Sequence, residues 1–175
     1  MSMFKDEPLM NIEWHDAQML RANGWNPNVV FRPELKLLEF SILRSGWVQP
    51  IIINGNQLII DGFHRWSLSK DSNALKAKYK GQVPCVVMDI SDPEAMLLTV
   101  RINRAKGSHA AVRMSDLVQE LITTYGYTMV QVAEGIGAAP GEVDLLLERD
   151  VFKAKNLASA PYSEAWVPRE SRHKK

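Results

Sequence analysis

Residues 46–66 read GWVQPIIINGNQLIIDGFHRW and contain the clearest structural pattern in the chain. Two apolar, β-branched runs, 48–53 and 57–60, flank Asn54-Gly55, a dipeptide typical of tight turns between antiparallel strands. Asp61-Gly62 ends the second run, and the residues after it predict a helix over 64–70. The pattern predicts a β-hairpin whose second strand leads through a glycine turn into the N-terminus of a helix.

The flanking sequence extends this hairpin into an α+β fold. Apolar residues recur at helical spacing over 33–45, a further strand is predicted over 83–90, and a helix is predicted over 93–101. The first 33 residues show no periodicity, so we expect an irregular lead-in. Two tryptophans are expected to pin this lead-in to the body: Trp14 and Trp25.

Residues 61–65 have the composition of an anion-binding helix start. Free N–H groups at a helix N-terminus attract anions, and Gly62 lets the backbone approach a ligand closely. Arg65 offers a planar donor fork suited to phosphate oxygens, and His64 can donate to a phosphate or transfer a proton. Asp61 cannot bind phosphate directly, but it can hold Mg²⁺ or orient His64. The alternative interpretation is an ordinary helix cap with solvated charges.

The strings GWVQPIIIN and LIIDGFHRWSLSK resemble the ParB/sulfiredoxin superfamily, whose members share a QPI strand and a short helix opened by G-x-R-R, D-G-H-H-R or G-G-C-H-R. The resemblance covers roughly residues 33–110 and implies a small mixed-sheet domain. It also implies a bound nucleoside phosphate, which is CTP in chromosome-partition ParB proteins, ATP in sulfiredoxins and ADP in archaeal free-serine kinases. Gly62, His64 and Arg65 are then expected to grip phosphates, with Gln49 in the same nucleotide-binding set.

Two departures from the superfamily narrow the expected chemistry. Sulfiredoxins carry a catalytic cysteine directly before the His-Arg pair, but Phe63 stands there, so sulfiredoxin chemistry is excluded. Partition ParB proteins carry an E-N-x-x-R motif that holds Mg²⁺ and phosphates. Asn103 matches its Asn, but Ile102 replaces its Glu. A CTP-driven DNA clamp is therefore not expected, and DGFHR stands closer to the serine-kinase version.

A cationic cluster surrounds Asn103. Its members are Arg101, Arg104, Lys106, Ser108 and His109. We interpret the cluster as a second phosphate-binding wall, to which Gly107-Ser108 adds backbone donors. The alternative is a solvated helix end whose cations lie at the favourable C-terminus.

Glu39 and His64 form the candidate catalytic set. In kinase-like relatives a carboxylate from the helix before the QPI strand, where Glu39 stands in this chain, activates the substrate hydroxyl. Such a general base must lie within hydrogen-bond reach of the hydroxyl proton. The alternative interpretation of Glu39 is a salt-bridged surface residue.

Residues 127–150, YTMVQVAEGIGAAPGEVDLLLERD, resemble the helix-turn-helix that follows the nucleotide domain in ParB proteins. Helices are predicted over 128–135, with Val130 in its core, and over 141–150. They follow a helix that Ser115 is expected to N-cap. The second helix presents four carboxylates against one cation: Glu142, Asp144, Glu148 and Asp150 against Arg149. Because phosphate neutralisation dominates DNA affinity, we expect weak DNA readout and a role in docking a protein or stabilising a dimer.

These patterns divide the chain into a nucleotide-binding domain (1–110), a helical domain (111–155) and a basic tail (156–175). Residues 60–109 carry 8 Lys/Arg against 5 Asp/Glu, residues 110–152 carry 2 against 7, and residues 153–175 carry 6 against 2. The tail either contacts nucleic acid nonspecifically or only improves solubility.

Cysteine content and hydropathy favour a cytoplasmic location. Cys85 is the only cysteine, so an internal disulfide is excluded, and its place in a predicted strand indicates a small buried hydrophobe. No signal-peptide pattern and no run of about 20 apolar residues is present in the sequence.

Three functions remain in competition. The first is a ParB-like regulatory protein whose nucleoside phosphate (ATP, ADP or CTP, with Mg²⁺) controls a protein or DNA partner, with a homodimer as one form. The string NRAKGSH and the compact length resemble the IbrB-like group of prophage co-activators, whose companion resembles a phosphoadenylyl-sulfate reductase. The second is an ATP- or ADP-dependent phosphotransferase, nucleotide hydrolase or nuclease. The third is sequence-specific DNA binding, which the acidic helix disfavours.

Overall fold

The chain folds into a four-stranded mixed sheet and seven α-helices, counted over residues 4–23, 32–105 and 111–147, which are those that the computed structural model describes. A short 3₁₀ helix spans Pro8–Met10. The strands are β1 (Ile12–Asp16), β2 (Ile51–Asn54), β3 (Ile59–Asp61) and β4 (Gln82–Met88). The helices are α1 (Arg32–Ser45), α2 (Phe63–Asp71), α3 (Asn73–Tyr79), α4 (Asp92–Ala105), α5 (Ala111–Thr123), α6 (Met129–Ile136) and α7 (Pro140–Leu147). The α+β prediction is confirmed.

The sheet has the strand order β1-β4-β2-β3. Strand β4 pairs in parallel with β2 and antiparallel with β1, while β2 and β3 form the predicted antiparallel hairpin. The side chain of buried Asn54 closes the hairpin, because its Oδ1 accepts from the backbone N–H groups of Asn56 (3.1 Å) and Leu58 (3.0 Å). Strand β2 begins at Ile51, three residues later than predicted, because Pro50 has no N–H for a ladder.

The prediction of an irregular lead-in is wrong for residues 12–16, which form β1. This strand carries only two large apolar residues, Ile12 and Trp14, and both are about half exposed at the edge of the sheet. Alternation of apolar and polar residues is typical of a half-buried strand, but here it covers only two apolar positions and is therefore a weak signal. Trp14 does hold the segment to the body, since its ring stacks on Tyr79 with 5.9 Å between centroids. Trp25 lies outside the described residues.

One hydrophobic core lies between the sheet and α2. It contains buried residues of β2, β3 and β4 together with Trp66. The indole Nε1 of Trp66 donates a hydrogen bond to the Ala17 carbonyl at 2.7 Å. Cys85 of β4 is fully buried here, as predicted, and burial, with a smaller contribution from Glu13, raises its thiol pKa to about 12. Helix α3, which was not predicted, follows α2 directly and inserts Leu75 as a buried side chain.

A second core lies among α4, α5, α6 and α7. Helix α4 supplies Met96, Leu97 and Val100 to it, while Thr99 of the same helix donates to the Ile60 carbonyl of β3 at 3.2 Å. A Cβ added at Gly135 of α6 would lie 2.8 Å from Leu97, so glycine permits the close packing of α6 on α4. Helix α4 therefore belongs structurally to both halves, and the domain division at residue 110 stays a prediction.

Two details of the helical predictions are wrong. Ser115 is not an N-cap but a buried residue inside α5, which begins at Ala111. Val130 is 55% exposed on α6 rather than part of the core. The two short helices themselves are confirmed as α6 and α7, and residues 148–175, including the basic tail, lie outside the description. None of the described helices combines the length and the apolar character needed to cross a bilayer.

Candidate functional site

Helix α2 begins at a glycine whose backbone conformation other residues rarely adopt. Gly62 is its N-cap with φ 96°, in the left-handed region, and no side chain caps the helix there. A Cβ at this position would lie 3.2 Å from the Ile51 Cα. The turn from β3 into α2 therefore passes tightly over β2, and the N-cap residue supplies no side chain to the first N–H groups of the helix, an arrangement that favours an anion.

A cavity of about 200 Å³ opens at this helix start, and we call it the α2 cavity. Six of the predicted site residues line it together: Gln49, Asp61, Gly62, His64, Arg65 and Asn103. The other lining residues were not predicted: Asn23, Leu38, Ile59, Ile60 and Phe63. The structure thus brings the hairpin, the start of α2 and α4 to one place, although their residues are far apart in sequence.

Arg65 acts as a clamp on the segment before β2. Its Nη1 donates to the carbonyls of Gln49 (2.7 Å) and Pro50 (2.9 Å), and its Nη2 lies 3.3 Å from Asp61 Oδ2. Burial lowers the pKa of the guanidinium and the Asp61 carboxylate opposes that shift, but an arginine stays charged in either case. Part of the donor fork predicted to grip phosphate is therefore engaged by the chain itself.

His64 is the second residue of α2 and lines the cavity. Burial lowers its pKa below 6.5, against opposing effects of Asp61 and Glu34, so the imidazole is neutral at pH 7. Its Nε2 is buried and meets no hydrogen-bond partner among the described residues, and its ring contacts Phe63 edge-on with 5.5 Å between centroids. A neutral imidazole with an unsatisfied nitrogen can donate to a ligand oxygen or accept a proton.

Asn23 is a cavity residue that the sequence did not reveal. Its side chain is 7% exposed, and its Nδ2 donates to the Ile59 carbonyl of β3. Its Oδ1 is buried without a partner in the described parts of the chain. Asn23-Gly24 has the composition of an ordinary turn, and no local pattern distinguishes a turn asparagine from one that faces a cavity.

The structure describes only part of the predicted cationic wall. Asn103 is 4% exposed and lines the α2 cavity, whereas Arg101 is exposed and does not. The backbone of Arg104 belongs to α4, but its side chain is not described, and Lys106, Ser108 and His109 lie outside the described residues. The wall therefore stays a prediction.

The structure does not bring Glu39 to the cavity. Its carboxylate accepts a hydrogen bond from Ser72 Oγ, which in turn accepts from the Leu75 N–H at 3.1 Å and caps α3. Glu39 thus orients a helix cap and does not line the α2 cavity, and it forms no salt bridge within the part of the chain that the structure describes.

Asp61 is the carboxylate available for Mg²⁺ in the cavity. One of its oxygens is shared with Arg65, and no cluster of three or more His, Cys, Asp or Glu side chains suited to a metal occurs in the described part of the chain. Mg²⁺ commonly binds through one or two carboxylates together with substrate phosphates. The donors present therefore fit a magnesium ion carried in with a phosphate ligand, not one held by the protein alone.

A second cavity, of about 430 Å³ and mainly apolar, adjoins the first across Arg65. We call it the apolar cavity. It shares three residues with the α2 cavity: Gln49, Asp61 and Arg65. Its apolar walls come from the 3₁₀ segment, β2, β4 and α4: Pro8, Leu9, Pro50, Ile52, Val86, Met88, Leu98 and Ile102. A cavity of mixed polar and apolar lining and a mainly apolar one thus meet at the Asp61–Arg65 ion pair.

Comparison with known proteins places these features in context. The chain is 34% identical over 170 residues to the uncharacterized protein YbdM of Escherichia coli, covering 95% of this chain and 80% of YbdM. It is 26% identical over 153 residues to the probable chromosome-partitioning protein ParB of Rickettsia conorii, covering 84% of this chain and 51% of that protein. The chain therefore spans about half the length of this ParB protein.

Among solved structures, the C-terminally truncated ParB of Caulobacter crescentus complexed with CTP-gamma-S is similar with a TM-score of 0.44 and 19% identity, over 89% of this chain and 91% of that one. A scan against models of protein families gives no match.

Proposed function

The chain belongs to the ParB-like family, and from that premise we propose that its α2 cavity binds a nucleoside phosphate and thereby controls an interaction with a protein or DNA partner. The observation that carries the proposal is the start of α2. A glycine-led, side-chain-uncapped helix N-terminus opens into a cavity that also holds two buried polar side-chain atoms without partners, His64 Nε2 and Asn23 Oδ1. Such a terminus is a ready anion site.

The phosphate end of the ligand is assigned to Gly62 and His64. The bare glycine lets phosphate oxygens approach the first N–H groups of α2, and His64 adds a donor from the same turn. Arg65 contributes chiefly by holding the carbonyls of Gln49 and Pro50 in place, which fixes the cavity wall. Asp61 is the proposed contact to a ligand-borne Mg²⁺.

The base of the ligand is assigned to the apolar cavity. A volume of about 200 Å³ is small for a whole nucleotide, since pockets for ligands of that size commonly measure about 300–1,000 Å³. The adjoining cavity of about 430 Å³ offers the apolar surface on which a base can pack. Ligand groups can pass from one cavity to the other beside Asp61 and Arg65, which line both.

Helix α4 supports the regulatory part of the proposal. Asn103 of α4 lines the α2 cavity, while Leu97 and Val100 of the same helix are buried in the core with α5–α7. A ligand that favours one position of α4 changes the packing offered to those helices, which is the physical requirement for coupling two sites.

The surface of α7 favours a protein partner over DNA. Glu142 and Asp144 are exposed on this helix, and Leu145, which follows Asp144, is 53% exposed. Acidic side chains repel DNA phosphates, whereas an exposed leucine beside carboxylates suits a basic, partly apolar protein surface. A partner resembling a phosphoadenylyl-sulfate reductase is the specific form of this proposal.

Binding and turnover are tested together by calorimetric titration with CTP, ATP and ADP, each with and without Mg²⁺, and by an assay of released phosphate. We expect saturable binding of at least one nucleotide, weakened at least tenfold in His64→Ala, and unchanged binding in Asn73→Ala, which alters an exposed asparagine outside both cavities. No binding at millimolar nucleotide overturns the proposal. The regulatory part is tested by amide hydrogen exchange with and without nucleotide. We expect the exchange rates in α5–α7 to change on binding.

An enzyme of the same fold is the second candidate. The neutral His64, with an unsatisfied nitrogen in the α2 cavity, is the observation that favours it, because a general base must be unprotonated. Phosphate release that His64→Gln abolishes, while nucleotide still binds, supports an ATP- or ADP-dependent phosphotransferase or hydrolase. Binding without any release supports the regulatory protein.

A further inference from the structure

Asn23 lines the α2 cavity, and its amide oxygen is a buried acceptor. The Ile59 carbonyl can only accept, so the Asn23 side chain must turn its NH₂ group toward it. Its Oδ1 then points away from β3, and it meets no donor among the described residues although the side chain is 93% buried, the complement of its 7% exposure. A buried acceptor without a donor costs about 1–3 kcal/mol, which a ligand donor would recover.

The backbone before Asn23 holds this acceptor in position. The Arg21 N–H donates to the Gln57 carbonyl at 2.9 Å, and the Ile59 N–H donates to the Arg21 carbonyl at 3.0 Å. The Arg21 side chain adds a bond from Nε to the Asn56 carbonyl at 3.1 Å. Residues 21–23 are thus tied to the hairpin from both backbone and side chain, so the acceptor is preorganised for a ligand rather than free to swing.

The chemistry of an acceptor excludes the phosphate as its target. Ionised phosphate oxygens only accept hydrogen bonds, so a carbonyl oxygen gains nothing from them. Asn23 shares one cavity of about 200 Å³ with Gly62 and His64, so the group it meets lies close to the phosphate end of the ligand. In a nucleoside phosphate, the donors nearest the phosphates are the sugar hydroxyls, while the base lies beyond the sugar.

We propose that Asn23 accepts a hydrogen bond from a ribose hydroxyl and makes the α2 cavity selective for nucleotides that carry this hydroxyl over the deoxy forms that lack it. This inference rests on the proposed nucleotide binding and names the part of the ligand that is read. A neutral hydrogen bond of about 0.5–1.5 kcal/mol corresponds to a roughly three- to tenfold preference for the ribose form.

The test compares ligands before it compares proteins. Wild-type protein is titrated with the nucleotide that binds best, with its 2′-deoxy, 3′-deoxy and 2′,3′-dideoxy forms, and with inorganic tripolyphosphate. We expect at least one deoxy form to bind three- to tenfold more weakly. Equal binding of all four nucleotides overturns the inference without any mutation. No nucleotide binding at all instead overturns the proposed function, so the two failures are distinguishable.

The variant Asn23→Ala then assigns the selectivity to one side chain. It is expected to bind the ribose and dideoxy forms equally and to bind tripolyphosphate as wild type does, while Asn73→Ala keeps the wild-type preference. If thermal melting shows that Asn23→Ala is unfolded, Asn23→Ser is used in its place. Weaker binding of every ligand by the same factor overturns the inference in favour of a structural role. A lost preference between CTP and UTP with unchanged sugar selectivity overturns it in favour of base readout.

Discussion

Helices α2 and α6 begin in opposite ways, although both are short. At α6, Thr128 forms a complete capping box: its Oγ1 accepts from the Gln131 N–H at 3.2 Å, and Gln131 Oε1 accepts from the Thr128 N–H at 2.8 Å. At α2, Gly62 offers no side chain, and its backbone lies at φ 96°. One helix satisfies its terminal donors from its own sequence, and the other leaves them facing a cavity.

This difference separates a site for stability from a site for binding. The capping box of α6 is expected to stabilise the helix by about 1 kcal/mol, and it occupies two terminal N–H groups that a ligand could otherwise bind. The start of α2 forgoes that stabilisation and keeps a left-handed backbone that glycine adopts without strain and that other residues rarely adopt. Substitutions at the two helix starts should therefore have different effects on stability and on nucleotide binding.

Gly62→Ala is expected to have the largest effect. The added Cβ strains a left-handed backbone and lies 3.2 Å from Ile51, so we expect a loss of about 2–3 kcal/mol of unfolding free energy and of nucleotide affinity by more than tenfold. Urea denaturation and calorimetry measure the two effects. Gly55→Ala is the matched control, because its Cβ meets nothing within 4 Å, and it should change stability by less than about 0.5 kcal/mol. Equal effects of the two substitutions would contradict the strain at Gly62.

Arg65→Lys is expected to cost about 1–3 kcal/mol of stability, because an ammonium cannot span the Gln49 and Pro50 carbonyls as the guanidinium does. Thermal melting of the variant without ligand measures this cost. The same exchange at the exposed Arg44 is the control and should be nearly silent. Unchanged stability with lost nucleotide binding would show that Arg65 serves the phosphate rather than the cavity wall.

Thr128→Ala tests the capped helix of the comparison, α6. Loss of the cap should lower the unfolding free energy by about 1 kcal/mol, and Thr128→Ser should restore most of it. Nucleotide affinity should stay as in the wild type, because Thr128 lines neither cavity. A change in affinity larger than threefold would mean that the start of α6 is coupled to the ligand through α4.

The pH dependence of stability should show the smallest effect. Burial lowers the pKa of His64 below 6.5, so the unfolded chain takes up the proton more readily than the folded one. Stability should therefore fall as the pH drops through about 6.5 and be unaffected by His64 above about 7.5, with a contribution below about 1 kcal/mol because the side chain is only partly buried. Urea midpoints of wild type and His64→Gln between pH 5 and 8 check this. Parallel profiles would contradict it.

Local sequence patterns predicted the parts of the fold that carry strong periodicity. The isoleucine runs around Asn54-Gly55 predicted the hairpin and the helix after Gly62. Strand β1 was missed because Ile12 and Trp14 lie at a sheet edge with exposed neighbours. Ser115 was misplaced because a serine occurs both as an N-cap and inside a helix, and the sequence around it does not distinguish the two.

The sequence predicted several residues that line the candidate site, but not what their side chains do there. The resemblance placed Gln49, Gly62 and Arg65 in one site, and the cavity brings them together. That Arg65 bonds carbonyls 15 and 16 residues away, and that Glu39 caps α3 through Ser72, depends on how the elements pack. Asn23 was missed for the same reason, since its hydrogen bond to the Ile59 carbonyl joins residues 36 positions apart in sequence.

The burial of Cys85 has a practical consequence for experiments on this chain. A fully buried thiol with a pKa near 12 holds almost no thiolate at neutral pH, so maleimides and mild oxidants should leave it intact. A cysteine introduced at an exposed position of α7 would then be the one rapidly labelled sulfur in the native protein. Fluorophores attached there can report movements of the helical half while the natural cysteine stays in place.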